Sequence, residues 1–419
     1  MKGAGCPACG NSGYKGRVAA FELLPATAAV RAAVAKRAWV EVIRTLALKE
    51  GQRPMRQAAV AQVKAGLTTM EEFRQAGLPW TRMPGGRSGK RGRLGRKNGP
   101  EDRSMALLAL DFHPDKRAAA GGSGAPLAGL DLGTSSLKLV ALKREGEGYT
   151  LAGLHLQESR TAVETTAGRL GEEAGFPVRD VAIAVPGQDS LVRLCEVPKA
   201  SPAAFRKNLP LEIEQYLPVN VKESVVDGQI LGDSETEAGK MSVVMGAVGS
   251  GAARELVRLA RHLRVEPRVV DAEALALANM FAHNYAADEA YQGTVCLINA
   301  GTRVTYLLIF DGGEIRFSHP VAYAGEAKSG EFVAEIKRCF DYYDSQFPSH
   351  GVGRILFGGG DAGLEGLDVY LSGKLGVPVE LLDPFRKIKV NSMAPGVNLV
   401  RSRAAAFGVA VGLAMRTAP

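Results

Sequence analysis

Residues 126–419 predict an α/β fold, and three features of the sequence support that prediction. Short apolar runs typical of strands alternate with longer helix-forming runs along the whole stretch. Neighbouring strand pairs are followed by single helices, which is typical of antiparallel hairpins combined with parallel crossovers. Two of these hairpins have a glycine in a polar turn, and a glycine cluster follows a later strand. Together these features predict a mixed sheet with a ligand cleft.

The order of the apolar runs gives the order of the elements. Strands are expected at 127–132, 137–143, 149–157, 180–186, 190–197, 225–232, 241–248, 294–299, 303–310, 313–318, 354–357 and 377–382. Helices are expected at 162–174, 202–216, 251–263, 272–286, 328–345, 362–375 and 402–415. The pairs Leu209-Pro210 and Leu217-Pro218 are expected to kink or end the second of these helices, because proline cannot donate a backbone hydrogen bond.

Composition limits the class of protein. The chain has 419 residues, 46% hydrophobic and 23% charged, which indicates a folded protein of more than one domain. No apolar stretch reaches the roughly 18 residues of a membrane-spanning helix, and the first residues do not form a signal peptide. Five scattered cysteines favour reduced thiols and a cytoplasmic location. Cys195, Cys296 and Cys339 stand in apolar runs and are expected to be small core residues.

The first 125 residues differ from the rest in charge. They hold 22 basic and 9 acidic residues, whereas residues 126–419 hold 30 and 35, so a nucleic-acid-binding core is not indicated. Residues 1–80 predict a small helical fragment, with helices at 26–36, 40–49 and 55–64 and with Thr27 and Thr69 as N-caps. Residues 81–125 predict a basic flexible linker. This linker could also be an arm for anionic lipid or nucleic acid, but its composition favours a solvated connector.

The first glycine hairpin carries a candidate phosphate site. Asp131 ends one apolar strand, Gly133-Thr134-Ser135-Ser136 forms the turn, and Lys138 lies on the returning strand. Such a turn directs backbone N–H groups and hydroxyls to one point, which suits a phosphate. Asp131 could hold a magnesium ion through water, and Lys138 could contact a phosphate as a point charge. A plain polar hairpin would have the same pattern.

A second hairpin repeats this arrangement. Asn299 ends a strand, and Gly301 and Thr302 stand in the turn that follows. The cluster Gly358-Gly359-Gly360 comes after another strand, where backbone could approach a base or a sugar closely. Two turns able to hold phosphates from opposite sides, followed by this cluster, argue for a nucleotide between two lobes. The pattern is neither a Walker A loop nor a dinucleotide fingerprint.

The order of these motifs resembles the actin/Hsp70/hexokinase fold, and residues 126–419 resemble the PilM family of type IV pilus assembly proteins. The resemblance is carried by the first hairpin and by the stretches 211–218, 270–276 and 355–360. It implies an α/β, actin/Hsp70-like two-lobed ATPase fold in which residues 178–250 form a small inserted α+β subdomain. It also implies a cytoplasmic scaffold of the pilus assembly platform, peripheral to the inner membrane through partners.

The resemblance assigns ligands to the motifs. It implies ATP and magnesium as cofactors, with Asp131 holding the ion and with no catalytic residue assigned. The phosphates would be bound by Gly133, Thr134, Ser135, Ser136, Lys138, Asn299, Gly301 and Thr302, and the adenosine by Gly358, Gly359 and Gly360. The expected partner is the cytoplasmic tail of a PilN-like membrane protein, held beside the inserted subdomain. Pilus ATPases are a second expected partner class, and no specific nucleic acid is expected.

Two departures from the family pattern concern catalysis. Asn299 stands where the family usually has Asp, and an amide cannot help to hold a hydrated metal by charge. The stretch after Glu326 is shortened. ATP binding with at most slow hydrolysis is therefore expected. FtsA-like or GspL-like proteins of division or type II secretion, and an ATPase or sugar kinase, are the alternatives. A kinase needs a carboxylate base near the γ-phosphate, and none stands out by spacing.

The front of the chain resembles a different family. Cys6 and Cys9 form a CxxC pair, which supplies two of the four ligands that structural zinc needs. With the helices that follow, this stretch resembles the C-terminus of GspE/PilB secretion ATPases, in which an upstream CxxC pair completes the zinc site. The pair upstream and the Walker A lysine are missing here, so residues 1–80 cannot be a motor. They are either the remnant of an upstream reading frame, with a start near Met105, or a genuine fused docking module.

Overall fold

The computed structural model describes residues 127–158, 170–217, 219–234, 237–302, 304–321, 328–347 and 350–417, together with 23–35 and a few residues between 43 and 69. The chain divides into two compact units, 1–97 and 98–419. In the first, helix α1 spans Ala28–Ala35 and buries Val30 and Ala33. Thr27 Oγ1 accepts a hydrogen bond from the Val30 N–H at 3.2 Å, which confirms the predicted N-cap. Most of 40–80, the linker and both CxxC cysteines lie outside the described residues.

The second unit alternates strands and helices. Its described strands are β1 (Ala128–Leu132), β2 (Ser136–Glu145), β3 (Gly148–Glu158), β4 (Asp180–Val185), β5 (Ser190–Pro198), β6 (Ser224–Asp233), β7 (Lys240–Gly249), β8 (Glu266–Ala272), β9 (Val295–Ala300), β10 (Thr305–Asp311), β11 (Glu314–Val321), β12 (Arg354–Gly359), β13 (Val379–Leu381) and β14 (Lys389–Val390). Its described helices are α2 (Leu170–Ala174), α3 (Pro202–Tyr216), α4 (Ser250–His262), α5 (Glu273–Asn284), α6 (Gly330–Gln346), α7 (Leu367–Leu375), α8 (Asn398–Arg403) and α9 (Gly408–Ala414).

Two large sheets carry the two hairpins. The six-stranded sheet has the order β14-β3-β2-β1-β4-β8, in which β1, β2 and β3 are antiparallel while β4 and β8 run parallel to β1. The five-stranded sheet has the order β11-β10-β9-β12-β13, in which β12 runs parallel to β9. In both sheets an antiparallel hairpin is followed by a parallel strand. The predicted combination of hairpins and parallel crossovers is therefore present.

The three-stranded sheet β5-β7-β6 has a small core of its own. Phe205, Leu209 and Ile213 of α3 belong to one buried cluster with Val243 and Met245 of β7. Ser201 caps α3, since its Oγ accepts from the Ala204 N–H at 3.3 Å. The helix continues through Pro210 and ends at Tyr216, so only the second proline pair coincides with a helix end. The three-stranded sheet and its helix span 190–249, whereas the range 178–250 inferred from the sequence also includes β4, a strand of the six-stranded sheet.

Helices α5 and α9 pack against each other inside a buried cluster that includes residues of both large sheets. Glycines make this packing close: a Cβ on Gly412 would lie 1.7 Å from the Ala276 carbonyl oxygen, and one on Gly129 would lie 1.9 Å from that of Ala410. Next to this cluster, Arg416 Nε donates to Asp271 Oδ2 at 2.7 Å, and both side chains are buried. Strand β1 and helix α9 are thus fixed at the centre of the fold.

Several sequence-based boundaries need correction. The helix expected at 402–415 is divided into α8, a 3-10 turn at Ala404–Phe407 and α9. The helix expected at 362–375 begins at Leu367, after a separate 3-10 turn at Gly360–Gly363. Gly363 and Gly408 lie at these breaks, and glycine favours a break because it loses more backbone entropy in a helix than other residues do. Cys195, Cys296 and Cys339 are buried and free, as predicted.

Candidate functional site

The two glycine turns face each other across a cleft. Thr134 Oγ1 of the β1–β2 turn lies 3.0 Å from Thr302 Oγ1 of the β9–β10 turn. The turns are built alike: a Cβ on Gly133 would lie 2.8 Å from the Ser136 carbonyl oxygen, and one on Gly301 would lie 2.7 Å from that of Val304. Neither turn could keep its shape with a larger residue at the glycine. The sequence prediction of two similar, opposed turns is confirmed at the level of the backbone.

Asp131 and Lys138 form an ion pair at the base of the first turn. They are cross-strand partners in the antiparallel β1–β2 ladder, and Lys138 Nζ lies 3.1 Å from Asp131 Oδ2. Their side chains are 19% and 10% exposed, and both border the cleft. Opposite charges at directly paired positions stabilise a hairpin. The pair therefore presents a carboxylate and an ammonium group side by side at the floor of the cleft.

Asn299 binds a carboxylate instead. Its Nδ2 donates to Glu273 Oε1 at 2.8 Å, and the Gly187 N–H donates to Glu273 Oε2 at 2.8 Å. Burial is the largest cause that raises the pKa of Glu273, and the nearby charge of Asp131 raises it further. The hydrogen bonds from Gly187 and Asn299 and the charge of Lys138 lower that pKa in part. Both oxygens of Glu273 are thus engaged.

The glycine cluster forms another wall. Gly359 has φ +102°, and a Cβ there would lie 2.2 Å from the Ala300 carbonyl oxygen, so glycine is required. Gly359 and Gly360 line the cleft. Gly358 does not: a Cβ on it would lie 2.7 Å from Leu382 Cδ2 and 3.0 Å from the Ala405 carbonyl oxygen. The alternation of a strand turns this face of Gly358 to the packing side, and its contact with an adenosine stays a prediction.

One cleft collects the other predicted residues. It holds about 790 Å³ including its open mouth, and it is lined by Asp131, Leu132, Gly133, Thr134, Ser135, Ser136, Lys138, Ala184, Pro186, Gly187, Gln188, Glu273, Asn299, Ala300, Gly301, Thr302, Val304, Gly359, Gly360, Ala406 and Val409. Among these described lining residues the charged side chains are those of Asp131, Glu273 and Lys138. Two carboxyl groups and one ammonium group disfavour a bare polyanion, whereas an anion that arrives with a divalent cation would be balanced.

Comparison with known families identifies the second unit. A family model for type IV pilus assembly protein PilM matches residues 129–334 and 328–418. The chain belongs to the PilM family. The two matched segments meet at 328–334, next to the place where the sequence predicts a shortened stretch. This match does not favour the FtsA-like, GspL-like or kinase alternatives.

Solved structures agree with the fold. A PilM–PilN type IV pilus biogenesis complex contains a chain that is 21% identical, with a TM-score of 0.60, and the alignment covers 70% of this chain and 98% of that one. A protein with an actin-like ATPase fold from Bacteroides thetaiotaomicron is 10% identical, with a TM-score of 0.38, and covers 70% of this chain and 97% of its own. The likeness to the chain of the PilM–PilN complex, together with the family match, confirms the predicted fold, and the chain is an actin-like pilus assembly protein.

The front of the chain matches a different family. A model for type II/IV secretion system proteins matches residues 1–75. The type IV pilus assembly ATPase PilB of Thermus thermophilus is 37% identical over 71 residues, which is 17% of this chain and 8% of PilB. The predicted resemblance to this ATPase family is confirmed, and the chain spans only a small part of that relative. No helix among the described residues is long and apolar enough to cross a membrane.

Glu273 and Gly187 are site residues that the sequence reading did not assign. Glu273 belongs to the stretch 270–276, which served only as a marker of the resemblance. Gly187 follows β4, and a Cβ there would lie 2.0 Å from the Tyr306 ring, so the loop rests directly on that ring. A glycine directly after a predicted apolar strand is the sequence feature that could have indicated this loop. The position of Glu273 had no local signal, since its partners come from two other elements.

Proposed function

We propose that this protein is a scaffold of type IV pilus assembly that binds Mg-ATP between its lobes and holds the cytoplasmic tail of a PilN-like membrane protein. It would work at the cytoplasmic face of the inner membrane and associate with the membrane through that partner. The observation that carries the proposal is the pair of opposed glycine turns with the Asp131–Lys138 pair at the base of one of them.

The chemistry of the cleft supports Mg-ATP over a free anion. Asp131 would hold the hydration shell of a magnesium ion, and Lys138 would contact a β- or γ-phosphate oxygen. The backbone and hydroxyl groups of the two turns supply donors from opposite sides. Gly359 and Gly360 leave room for the adenosine to lie against backbone. The residues present therefore fit the cofactors that the fold implies.

A scaffold is favoured over an enzyme by the state of Glu273. A general base must be directed at the nucleophile and lie within hydrogen-bond distance of it. Both oxygens of Glu273 instead accept hydrogen bonds from protein groups, at 2.8 Å each. Tight binding with at most slow hydrolysis agrees with this arrangement.

The three-stranded sheet is the proposed place for the partner tail. Strand β6 is at the edge of that sheet and pairs only with β7 among the described strands, and its residues are partly exposed. Leu211 of the adjacent helix α3 is 79% exposed. An extended peptide could add to such an edge through backbone hydrogen bonds and bury an apolar side chain beside it. The PilM–PilN complex among the similar structures supports a PilN-type tail as that peptide, and the match of residues 1–75 supports pilus ATPases as a second partner class.

The first test is calorimetric titration of Mg-ATP into the full chain. We expect saturable binding, and a loss of affinity of at least about a hundredfold in Asp131→Ala, since that variant loses the magnesium-holding carboxylate and the partner of Lys138. Asp233→Ala is the matched control, because Asp233 is an exposed residue that pairs with Lys199 and does not line the cleft. No saturation of the unmodified chain at millimolar Mg-ATP would overturn the nucleotide part of the proposal.

A further inference from the structure

Glu273 connects two segments of the cleft that are distant in sequence. One oxygen accepts from the Asn299 side chain at the end of β9, and the other accepts from the Gly187 backbone in the loop after β4. Strand β9 belongs to the five-stranded sheet and β4 to the six-stranded sheet. A single carboxylate, placed at the first position of α5, therefore spans the junction of the two lobes.

This connection is part of a closed ring of contacts among Gly187, Tyr306, Asn299 and Glu273. Gly187 rests on the Tyr306 ring so closely that even a methyl group would overlap with it. Tyr306 is the cross-strand partner of Asn299 in the β9–β10 ladder. Asn299 in turn donates to Glu273, which closes the ring at the Gly187 N–H. A shift of the loop would therefore disturb the second hairpin, and both segments line the cleft.

The amide at position 299 is what allows the ring to close. Asn299 donates to Glu273, whereas an ionised aspartate of nearly the same shape would have no donor there. Two carboxylates at 2.8 Å repel each other unless one takes up a proton. The residue that departs from the family pattern is thus chemically matched to Glu273.

We propose that Glu273 is a positioning residue that holds the β4 loop and the second glycine turn in the geometry that binds Mg-ATP, and that Asn299 acts through Glu273 and not through the metal. This inference rests on the proposed nucleotide binding and concerns how that site is held in position. In this proposal the amide of Asn299 helps to hold the cleft in its binding geometry. The family pattern alone would suggest instead that the change from Asp to Asn weakens the metal site.

The two explanations of Asn299 predict opposite results for one variant. If position 299 acts on the hydrated metal, Asn299→Asp adds a carboxylate and strengthens Mg-ATP binding. If it acts through Glu273, the same change places two carboxylates together and weakens binding. We expect the dissociation constant of Asn299→Asp to rise about tenfold to hundredfold at pH 8, which is the range for losing a hydrogen bond to a charged group.

A second substitution restores the hydrogen bond with reversed polarity. In Asn299→Asp with Glu273→Gln, the new amide can donate to the new carboxylate, and its oxygen can still accept from the Gly187 N–H. We expect this double variant to recover binding to within about threefold of the unmodified chain. Glu273→Gln alone is expected to change binding by less than about fivefold, since an amide flip of Asn299 keeps one hydrogen bond.

The measurements are Mg-ATP titration and thermal unfolding of the nucleotide-free full chain, for all four proteins. Weaker binding in Asn299→Asp together with recovery in the double variant supports the proposal. Equal or tighter binding in Asn299→Asp overturns it, and so does a fall in the unfolding temperature with no change in affinity. If the unmodified chain does not bind Mg-ATP, the proposed function fails first, which is a distinct outcome.

Discussion

The hairpins β1–β2 and β9–β10 share a backbone shape but differ in the chemistry at their bases. Gly133 and Gly301 are each followed, three residues later, by a carbonyl oxygen that leaves no space for a Cβ. At the first hairpin Asp131 is paired with a cation on the neighbouring strand. At the second, Asn299 is paired with a carboxylate from a helix.

This difference separates the residue that gives each turn its shape from the residue that gives each hairpin its chemistry. The glycines are needed for the turn itself, and that requirement is the same in both hairpins. The residue two positions before each glycine is free to differ, and it determines whether the hairpin contributes charge or a link to the rest of the cleft. This difference agrees with the proposed roles, in which the first hairpin binds the ion and phosphate and the second fixes the position of the lobes.

The largest effect should come from Gly359, which contacts the backbone of Ala300 in the second hairpin. Gly359→Ala is expected to lower the free energy of unfolding by about 2–4 kcal/mol, because a Cβ would overlap with the Ala300 backbone at a positive φ. Chemical denaturation measures this change. Gly360→Ala is the control, since a Cβ there meets nothing within 4 Å, and it should stay within about 0.5 kcal/mol. Equal effects of the two variants would contradict the assigned role of Gly359.

The equivalence of the two turns can be tested directly. Gly133→Ala and Gly301→Ala should each destabilise the protein by about 1–3 kcal/mol, because the added methyl group collides with a backbone carbonyl of the same turn. Urea unfolding of both variants provides the comparison, with Gly251→Ala as a control in open space. A difference between the two turns larger than about 2 kcal/mol would show that their backbones are not equivalent.

The charge difference between the hairpins should be visible in Lys138→Met. The variant loses the cation that is proposed to contact a phosphate and leaves Asp131 without this ion pair, so Mg-ATP affinity should fall about tenfold. Calorimetric titration measures the change. Lys143→Met is the control on the same strand, because that side chain is 73% exposed and lies outside the cleft lining. If both lysine variants bind equally well, the first hairpin does not supply the cation.

The smallest expected effect is the pH dependence of Glu273. Because its pKa is raised in the folded protein, the folded state binds the proton more tightly than the unfolded state does. The corresponding stabilisation is complete below the ordinary value of 4.5 and is lost as the pH rises through the higher pKa of the folded state. The stability of Glu273→Gln relative to the unmodified chain should therefore increase with pH over this window. Denaturation curves at several pH values test the sign, and a constant difference would contradict it.

The sequence predicted the residues of the two turns, but not the hydrogen bonds that connect the turns to other parts of the cleft. The turn residues from Gly133 to Ser136, and Gly301 with Thr302, were found because glycine and polar residues between two apolar strands have a direct steric meaning. Asp131 and Lys138 followed from the same hairpin. Glu273 was not found, since its role depends on where β8, β9 and the β4 loop meet, and strand order across a sheet is not encoded in any one segment.

The orientation of Gly358 has a similar explanation. Three consecutive glycines suggested one continuous contact with a ligand, but successive residues of a strand point to opposite sides. Gly358 still lies within β12 and faces Leu382, whereas Gly359 leaves the strand with a positive φ. The break between α8 and α9 was also missed, because the apolar content of 402–415 suits one helix as well as two. In both places the residue types alone could not predict the backbone geometry, which is the facing of Gly358 in one case and the break in the helix in the other.

The close contact between Gly129 and helix α9 has a consequence for biosynthesis. Strand β1 leaves the ribosome early, while the helix that covers it is translated long afterwards. The meander of β1, β2 and β3 can pair as soon as it is made, yet its inner apolar face stays open until the final elements arrive. A contact between segments that are so far apart in sequence slows folding. It also leaves an intermediate with exposed apolar surface, which is prone to aggregate. Nascent chains of this protein should therefore depend on chaperones until α9 is released, and truncation within α9 should shift the product to aggregates.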